Sequence, residues 1–341
     1  MRRRRLLQAA VLLAIGLLIL YGLLRTVHPA QVAQAIGRAT PGWMLLGVCA
    51  YVLFLVVRSW RWQIILEASA PAVRSSDVAA VTGIGFAVNS VSPFKLGEVV
   101  RIAAIAPRAG IGIGEAGATV VLERVLDVLA LVVLALGAAA ISGSASRGSG
   151  LWTSVIAFAI ACLAIGAVAF VMVNRPTATL RLFALFSSRL PARLQAPADA
   201  LASSVIKGFS ALRSPGRLAA TGLLSLLTWI CIVVGLIAFF RAVSPQLSPA
   251  TLFLACSIFV VSQAVSITPG SVGTYEGFFL LVLGGFGAGP PALVTAVAVL
   301  SHALNIAVLL LAGGLGAIWL RLHPTSLPVG LERSAMSQHS P

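Results

Sequence analysis

Charge is scarce in this 341-residue chain: only 10% of residues are charged, and only nine are Asp or Glu. A soluble domain carries about 25% charged residues, so a water-soluble globular protein is excluded. Cysteine is equally sparse. Cys49, Cys162, Cys231 and Cys256 all lie in apolar runs, none in a C-x-x-C pair. They read as packing residues rather than a zinc site or disulfide frame. There is no P-loop, no H-E-x-x-H and no G-x-S-x-G, which removes the common nucleotide, metalloprotease and serine-hydrolase signatures. The run Gly112-Ile113-Gly114-Glu115-Ala116-Gly117 fits G-x-G-x-x-G. However, no strand precedes it and an apolar helix follows, so it is not a dinucleotide fingerprint.

What the chain has is hydrophobicity: 59% apolar residues and a mean hydropathy of +1.02. Its 24 Lys and Arg give a net charge of +15. On a soluble chain that excess would suggest nucleic acid. Here the bases fall between apolar segments, which fits a membrane and argues against a nucleic-acid partner. About 18 apolar residues suffice to span a bilayer as a helix. Leu6–Leu24, Ala116–Ile141, Leu151–Val173 and Leu218–Phe240 pass that test. Pro291–Leu320 is broken only by Ser301, His302 and Asn305, and His302 with Asn305 suits a hydrogen bond between helices. Trp43–Val57 is shorter and is extended by Arg58-Ser59-Trp60-Arg61-Trp62, which reads as an interfacial anchor. The first run is too long for a signal peptide and lacks a small-residue cleavage site, so it reads as a retained helix.

Two further apolar regions, Val78–Pro107 and Ala250–Gly287, are interrupted in their middles. The first breaks at Ser92-Pro93-Phe94-Lys95-Leu96-Gly97, the second at Thr268-Pro269-Gly270-Ser271-Val272-Gly273. A break exposed to lipid would strand backbone N–H and C=O groups at several kcal/mol each. Such segments belong inside the protein or beside a wet cavity, as re-entrant hairpins or discontinuous helices. With six full spans, two hairpins and a cytoplasmic N-terminus, 17 of the 24 bases fall inside, four outside and three (Lys95, Arg101, Arg124) within the core. That asymmetry agrees with the positive-inside rule and predicts that both termini are cytoplasmic.

The two breaks resemble each other. Ser90-Val91-Ser92-Pro93-Phe94-Lys95-Leu96-Gly97 aligns without gaps to Ser266-Ile267-Thr268-Pro269-Gly270-Ser271-Val272-Gly273, and an acid follows each, Glu98 and Glu276. Matching broken segments in two inverted halves point to a transporter's central site. Proline removes a backbone donor and glycine relaxes the dihedral limits. The half-helices then offer free N–H groups at a positive dipole end, suited to phosphate or carboxylate. Four of the nine acids lie in the apolar core: Glu98, Glu123, Asp127 and Glu276. Each costs about 2.5–3.5 kcal/mol at mid-bilayer unless paired or wet. Glu98 with Arg101, and Arg124 with Asp127, are three apart, and Glu123 and Asp127 are four apart, so ion pairs can form along one helix face.

The expected fold is therefore all-α: a polytopic membrane protein with about six full transmembrane helices and two Pro/Gly-broken re-entrant hairpins in an inverted repeat. One membrane domain covers 1–323. Its halves, about 1–173 and 218–323, are joined by a cytoplasmic loop, 174–217. There Leu201, Val205 and Leu212 repeat beside Lys207 and Arg213, as in an amphipathic helix on an anionic leaflet. Residues 324–341 form a polar tail, expected to be disordered.

At these residues the chain resembles the lysylphosphatidylglycerol synthase transmembrane (flippase-like) region family. The resemblance rests on Asn89-x-x-x-Pro93-x-x-x-Gly97-Glu98-x-x-Arg101, then Glu123-Arg124-x-x-Asp127, then Ser266-x-x-Pro269-Gly270-x-x-Gly273-x-x-Glu276. The motifs keep the family's order and cover nearly the whole chain. The resemblance implies a multi-pass protein of the bacterial inner membrane associated with moving lipids between leaflets. In the synthases a soluble aminoacyl transferase domain follows the membrane part, and relatives called glycosyltransferases carry an additional catalytic domain. Neither is visible here, so neither lysyl nor glycosyl transfer by this chain is expected. Lys95 departs from the Arg common in the family, which keeps the charge and loses the bidentate fork.

The leading expectation is a lipid translocator for an anionic or headgroup-modified lipid. Lys95, Arg101 and Arg124 offset phosphate charge. The motif positions Asn89, Ser90, Pro93, Gly97, Ser266, Pro269, Gly270 and Gly273 build the breaks. Glu98, Glu123, Asp127 and Glu276 balance the cations, bind a cationic headgroup or carry protons. No cofactor, metal or ATP site is expected, so movement is downhill or ion-coupled. The partners expected are membrane lipids, with a lipid- or glycan-modifying enzyme left open. The alternatives are a membrane enzyme or enzyme subunit of lipid or glycan-lipid assembly, with acids that could hold magnesium, and a non-catalytic scaffold.

Overall fold

The computed structural model describes residues 29–92, 95–141, 174–189, 191–243, 249–263 and 268–324, with a few helical residues between 18 and 22 and between 160 and 171. The runs Leu6–Leu24 and Leu151–Val173 fall largely outside the described residues. Pro93, Ser266 and the tail after residue 324 fall outside them entirely.

Among the described residues there is no strand. The helices are α1 (Pro29–Gly37), α2 (Pro41–Leu66), α3 (Ser75–Val91), α4 (Leu96–Ala109), α5 (Ile113–Ile141), α6 (Pro176–Ser187), α7 (Ala192–Gly208), α8 (Pro215–Val243), α9 (Pro249–Ser262), α10 (Thr274–Gly285) and α11 (Pro291–Leu322). Proline opens α1, α2, α6, α8, α9 and α11, the position where its missing N–H would be unsatisfied anyway. Among the described residues three helices, α2, α8 and α11, are long and apolar enough to cross a membrane. The chain is a multi-pass membrane protein. The 29 residues of α5 give a rod of about 43 Å at 1.5 Å per residue, and it carries Glu123, Arg124 and Asp127.

One expectation needs correction. The segment Arg58–Trp62 is no interfacial anchor: α2 continues to Leu66, and Arg58, Arg61 and Trp62 are buried. Arginines turned inward need carboxylates to meet them, and α5 supplies them. The 174–217 segment holds α6, α7 and a 3-10 turn at Ser210–Arg213. The buried residues of the last turns of α7 are Ala202, Ile206 and Gly208, packed toward α5, while Leu201 is exposed.

The order of elements is the same in two halves. A long helix (α2, α8) leads into a short helix, a break, a second short helix and another long helix: α3, α4, α5 in one half and α9, α10, α11 in the other. The contacts map onto themselves when the halves are exchanged. α2 packs on α8, α3 on α11 as α9 on α5, α4 on α5 as α10 on α11, and α3 on α4 as α9 on α10. The α3–α11 seam is made of small residues. A Cβ on Gly83 would meet the Ala312 carbonyl, and one on Gly313 or Gly316 would meet Ala87 or Ala80, so the backbones approach closely, as membrane helices do.

The two breaks meet. The 3-10 turn at Pro269–Ser271 packs against α3, and Gly270 lies so near the Ser90 carbonyl that a side chain there would collide.

Candidate functional site

Both breaks bend the chain through left-handed backbone. Lys95 has φ 52°, Gly270 φ 60°, Ser271 φ 58° and Gly273 φ 78°. For the two non-glycine residues this costs roughly 1–2 kcal/mol each, and such strain gathers at ligand clamps and switches. The half-helices begin immediately afterwards. One leading amide of each, expected to be free, already has a partner. The Gly97 N–H donates to Asn89 Oδ1 at 2.8 Å, and the Gly273 N–H donates to Glu276 Oε2 at 2.8 Å.

Beside the first break lies a buried ion network built from three helices. Arg58 and Arg61 come from one face of α2, Glu98 and Arg101 from α4, and Glu123, Arg124 and Asp127 from α5. Arg58 Nη2 donates to Asp127 Oδ2 and Arg61 Nη1 to Asp127 Oδ1, both at 2.7 Å. Arg61 Nη2 donates to Glu123 Oε1 at 3.1 Å, and Nη1 also reaches Ser225 Oγ at 2.9 Å. Arg101 bridges Glu123 and Glu98, the latter at 3.1 Å, with its guanidinium 4.0 Å from the centre of the Trp62 ring. Glu123 and Asp127 therefore each pair with two arginines from other helices, Arg61 being shared between them, at 0% and 3% exposure. Arg124 is different. Its side chain is 37% exposed, and Nη2 stands 3.5 Å from Glu98 and 3.3 Å from Asp127.

Between the breaks is a cavity of about 240 Å³. Arg58, Lys95, Glu98 and Arg124 line it on one side, and Thr268, Gly270, Ser271 and His302 on the other. Three of its lining side chains carry a buried polar atom without a hydrogen-bond partner: Ser92 Oγ, Trp229 Nε1 and Gln263 Nε2. Two of these atoms only donate, and the hydroxyl can. Leaving buried donors unmet costs about 1–3 kcal/mol each, so the cavity suits an acceptor-rich, anionic guest. The charge agrees: Arg58, Arg61, Arg101, Arg124 and Lys95 make five cations against the three carboxylates Glu98, Glu123 and Asp127, an excess of two.

At the second break the chemistry is of another kind. His302 of α11 makes the hydrogen bond between helices that its place in an apolar span suggested. Its Nδ1 lies 2.7 Å from Glu276 Oε1 and its Nε2 lies 2.9 Å from the Gly270 carbonyl. Tyr275 stacks on the imidazole with ring centres 4.2 Å apart, and its hydroxyl bonds Ser301 at 3.0 Å.

Of the expected site residues, Asn89, Ser90, Lys95, Glu98, Arg124 and Gly270 line the cavity, while Arg101, Glu123 and Asp127 form the buried network behind it. Gly97, Gly273 and Glu276 shape the breaks, and Pro269 is buried in the second one. Arg58, Arg61 and Trp62 were missed. The available signal was the surplus of core carboxylates, which needed more counter-charge than Arg101 and Arg124 supply.

A family model described as the lysylphosphatidylglycerol synthase TM region matches residues 7–313. The chain is similar to a glycosyltransferase AglD of Haloferax volcanii, 27% identical over 95% of this chain and 55% of the relative. It is also similar to a UPF0104 membrane protein of Methanothermobacter thermautotrophicus, 25% identical over 37% of this chain and 38% of that relative. The chain thus spans little more than half the length of the first relative, and less of the second.

Proposed function

The chain belongs to the lysylphosphatidylglycerol synthase transmembrane region family, and we propose that it is a lipid translocator whose headgroup path runs through the cavity between the two breaks. The bilayer core is about 30 Å thick, and a charged headgroup crosses it only where fixed polar groups replace its water. The single observation that carries this reading is the cavity itself: an excess of two positive charges together with the unmet donors Trp229 Nε1 and Gln263 Nε2. A phosphodiester supplies one negative charge and several acceptors, which fits that set. Lys95 and Arg124 are the mobile contacts, because both line the cavity and the other arginines are locked to carboxylates. The breaks act as opposed tips of two re-entrant hairpins, in a protein of the plasma membrane with both termini in the cytoplasm.

The enzyme alternative draws support from the name of one relative. Magnesium on Glu98 or Asp127 is disfavoured by charge, since arginines already bracket both carboxylates. The test is headgroup sidedness of acyl-labelled phosphatidylglycerol in proteoliposomes, alongside incubation of the same vesicles with sugar donors. Transfer between leaflets without a new glycolipid supports translocation. A new glycolipid without transfer overturns it.

A further inference from the structure

The contacts of His302 dictate a proton count. The Gly270 carbonyl only accepts, so Nε2 must carry hydrogen to bond it at 2.9 Å. Nδ1 then faces Glu276 Oε1 at 2.7 Å, and that contact is attractive only with a proton between the two atoms. The proton sits either on Nδ1, giving imidazolium with carboxylate, or on Oε1, giving neutral imidazole with carboxylic acid. Both arrangements hold the same number of protons. Remove one and no tautomer satisfies both contacts. With hydrogen on Nε2, the Nδ1 lone pair meets the carboxylate. With hydrogen on Nδ1, the Nε2 lone pair meets the Gly270 carbonyl.

The contact that fails belongs to the break. Gly270 carries φ 60° and abuts Ser90, while Glu276 also caps the Gly273 N–H. His302 and Glu276 thus tie the two ends of the 270–273 segment to α11 and α10. We propose that Glu276 and His302 form a proton-binding site whose occupancy holds the second break closed against the first, and that passage of lipid is coupled to this proton. The coupling rests on the translocator reading; the proton site does not.

The other titratable or charged groups facing the pair are few. Tyr275 of α10 stacks on the imidazole, with Tyr51 of α2 and Cys256 of α9 beside Tyr275. Across the cavity stand Arg58 of α2, Lys95 and Glu98 of α4 and Arg124 of α5. α1 packs on α11 and contributes no ionisable side chain. Three cations and one acid line the cavity across from the pair. An anionic guest seated among those cations offsets positive charge that opposes the added proton, so guest and proton bind together.

Glu276→Gln separates the possibilities, because an amide reproduces the protonated carboxyl: its NH2 donates to Nδ1 and its oxygen accepts the Gly273 N–H. The full chain in phosphatidylglycerol nanodiscs is followed by nitrogen NMR of labelled histidine, with His302→Asn identifying the signals. Amide exchange at 270–273, corrected for the chemical rate, is read in parallel. The expected result is one protonation step at His302, with exchange rising roughly fivefold as the proton leaves, the loss of about one hydrogen bond. In Glu276→Gln both changes vanish while the fold remains. A wild-type imidazole that neither gains nor loses a proton across the stable pH range overturns the site, as does an unchanged step in Glu276→Gln. In proteoliposomes carrying labelled phosphatidylglycerol, a transmembrane pH difference should speed transfer in the wild type and leave Glu276→Gln unaffected. Equal acceleration of both overturns the coupling. If no variant moves lipid but the NMR step is present, the translocator reading fails and the proton site stands.

Discussion

The two breaks share a sequence pattern and a place in the fold, yet their chemistry is divided. The first is surrounded by permanent charge: Lys95 at its tip and the network of Arg58, Arg61, Arg101, Arg124, Glu98, Glu123 and Asp127 behind it. The second has one acid and one imidazole, locked to its own backbone. Two halves with the same order of elements thus carry permanent charge at one break and an acid–imidazole pair at the other. The difference also predicts unlike responses to mutation, since the first break is anchored by ion pairs among three helices and the second by hydrogen bonds worth about 1 kcal/mol each.

The largest effect is expected from Arg61→Met, which takes from both Asp127 and Glu123 one of the two arginines that reach each from other helices in a buried site. Breaking such a pair costs about 3–5 kcal/mol, so thermal unfolding in detergent should shift sharply and the yield of inserted protein should fall. Near-wild-type stability would mean that the network does not hold α2 to α5. Next is Gly270→Ala, where the methyl group meets the Ser90 carbonyl and the left-handed backbone adds roughly 1–2 kcal/mol. The tips should separate, detected as loss of a cross-link between cysteines placed at Ser90 and Ser271. An intact cross-link would deny that the breaks touch.

Smaller stability effects with large functional ones mark the cavity. Arg124→Gln should cost under about 1 kcal/mol, because its ion pairs are partly exposed, while lipid transfer per inserted molecule drops severalfold. Adding Asp127→Asn cannot repair this, since Asp127 mainly serves Arg58 and Arg61. That double variant should be less stable than either parent. The smallest shift is expected from Lys95→Gly, which relieves a strained φ of 52°. Stability should hold or rise by about 1 kcal/mol while transfer falls. A stable variant with undiminished transfer would remove Lys95 from the headgroup path.

Much of this was legible in the sequence because it is local. Pro and Gly punctuate the only two broken apolar regions, and Glu98/Arg101 and Glu123/Asp127 sit at helical spacing. What stayed hidden depends on the facing of helices. A Trp/Arg cluster at the end of an apolar run looks the same whether it snorkels to an interface or turns inward. Only the packing of α2 against α5 decides for Arg58 and Arg61. His302 and Glu276 lie on different helices, 26 residues apart, beyond any periodic pattern. One amide at the start of each half-helix is held by a side chain of the chain itself, Gly97 by Asn89 from across the break and Gly273 by Glu276 one turn on.

The most direct test of lipid passage through the cavity is the fraction of acyl-labelled phosphatidylglycerol that an impermeant reductant can reach in proteoliposomes, normalised to folded protein. The wild type should expose both leaflets, whereas Arg124→Gln, inserted and folded, should expose the inner one severalfold more slowly. Equal access in both proteins, or none in the wild type above protein-free vesicles, would contradict the account.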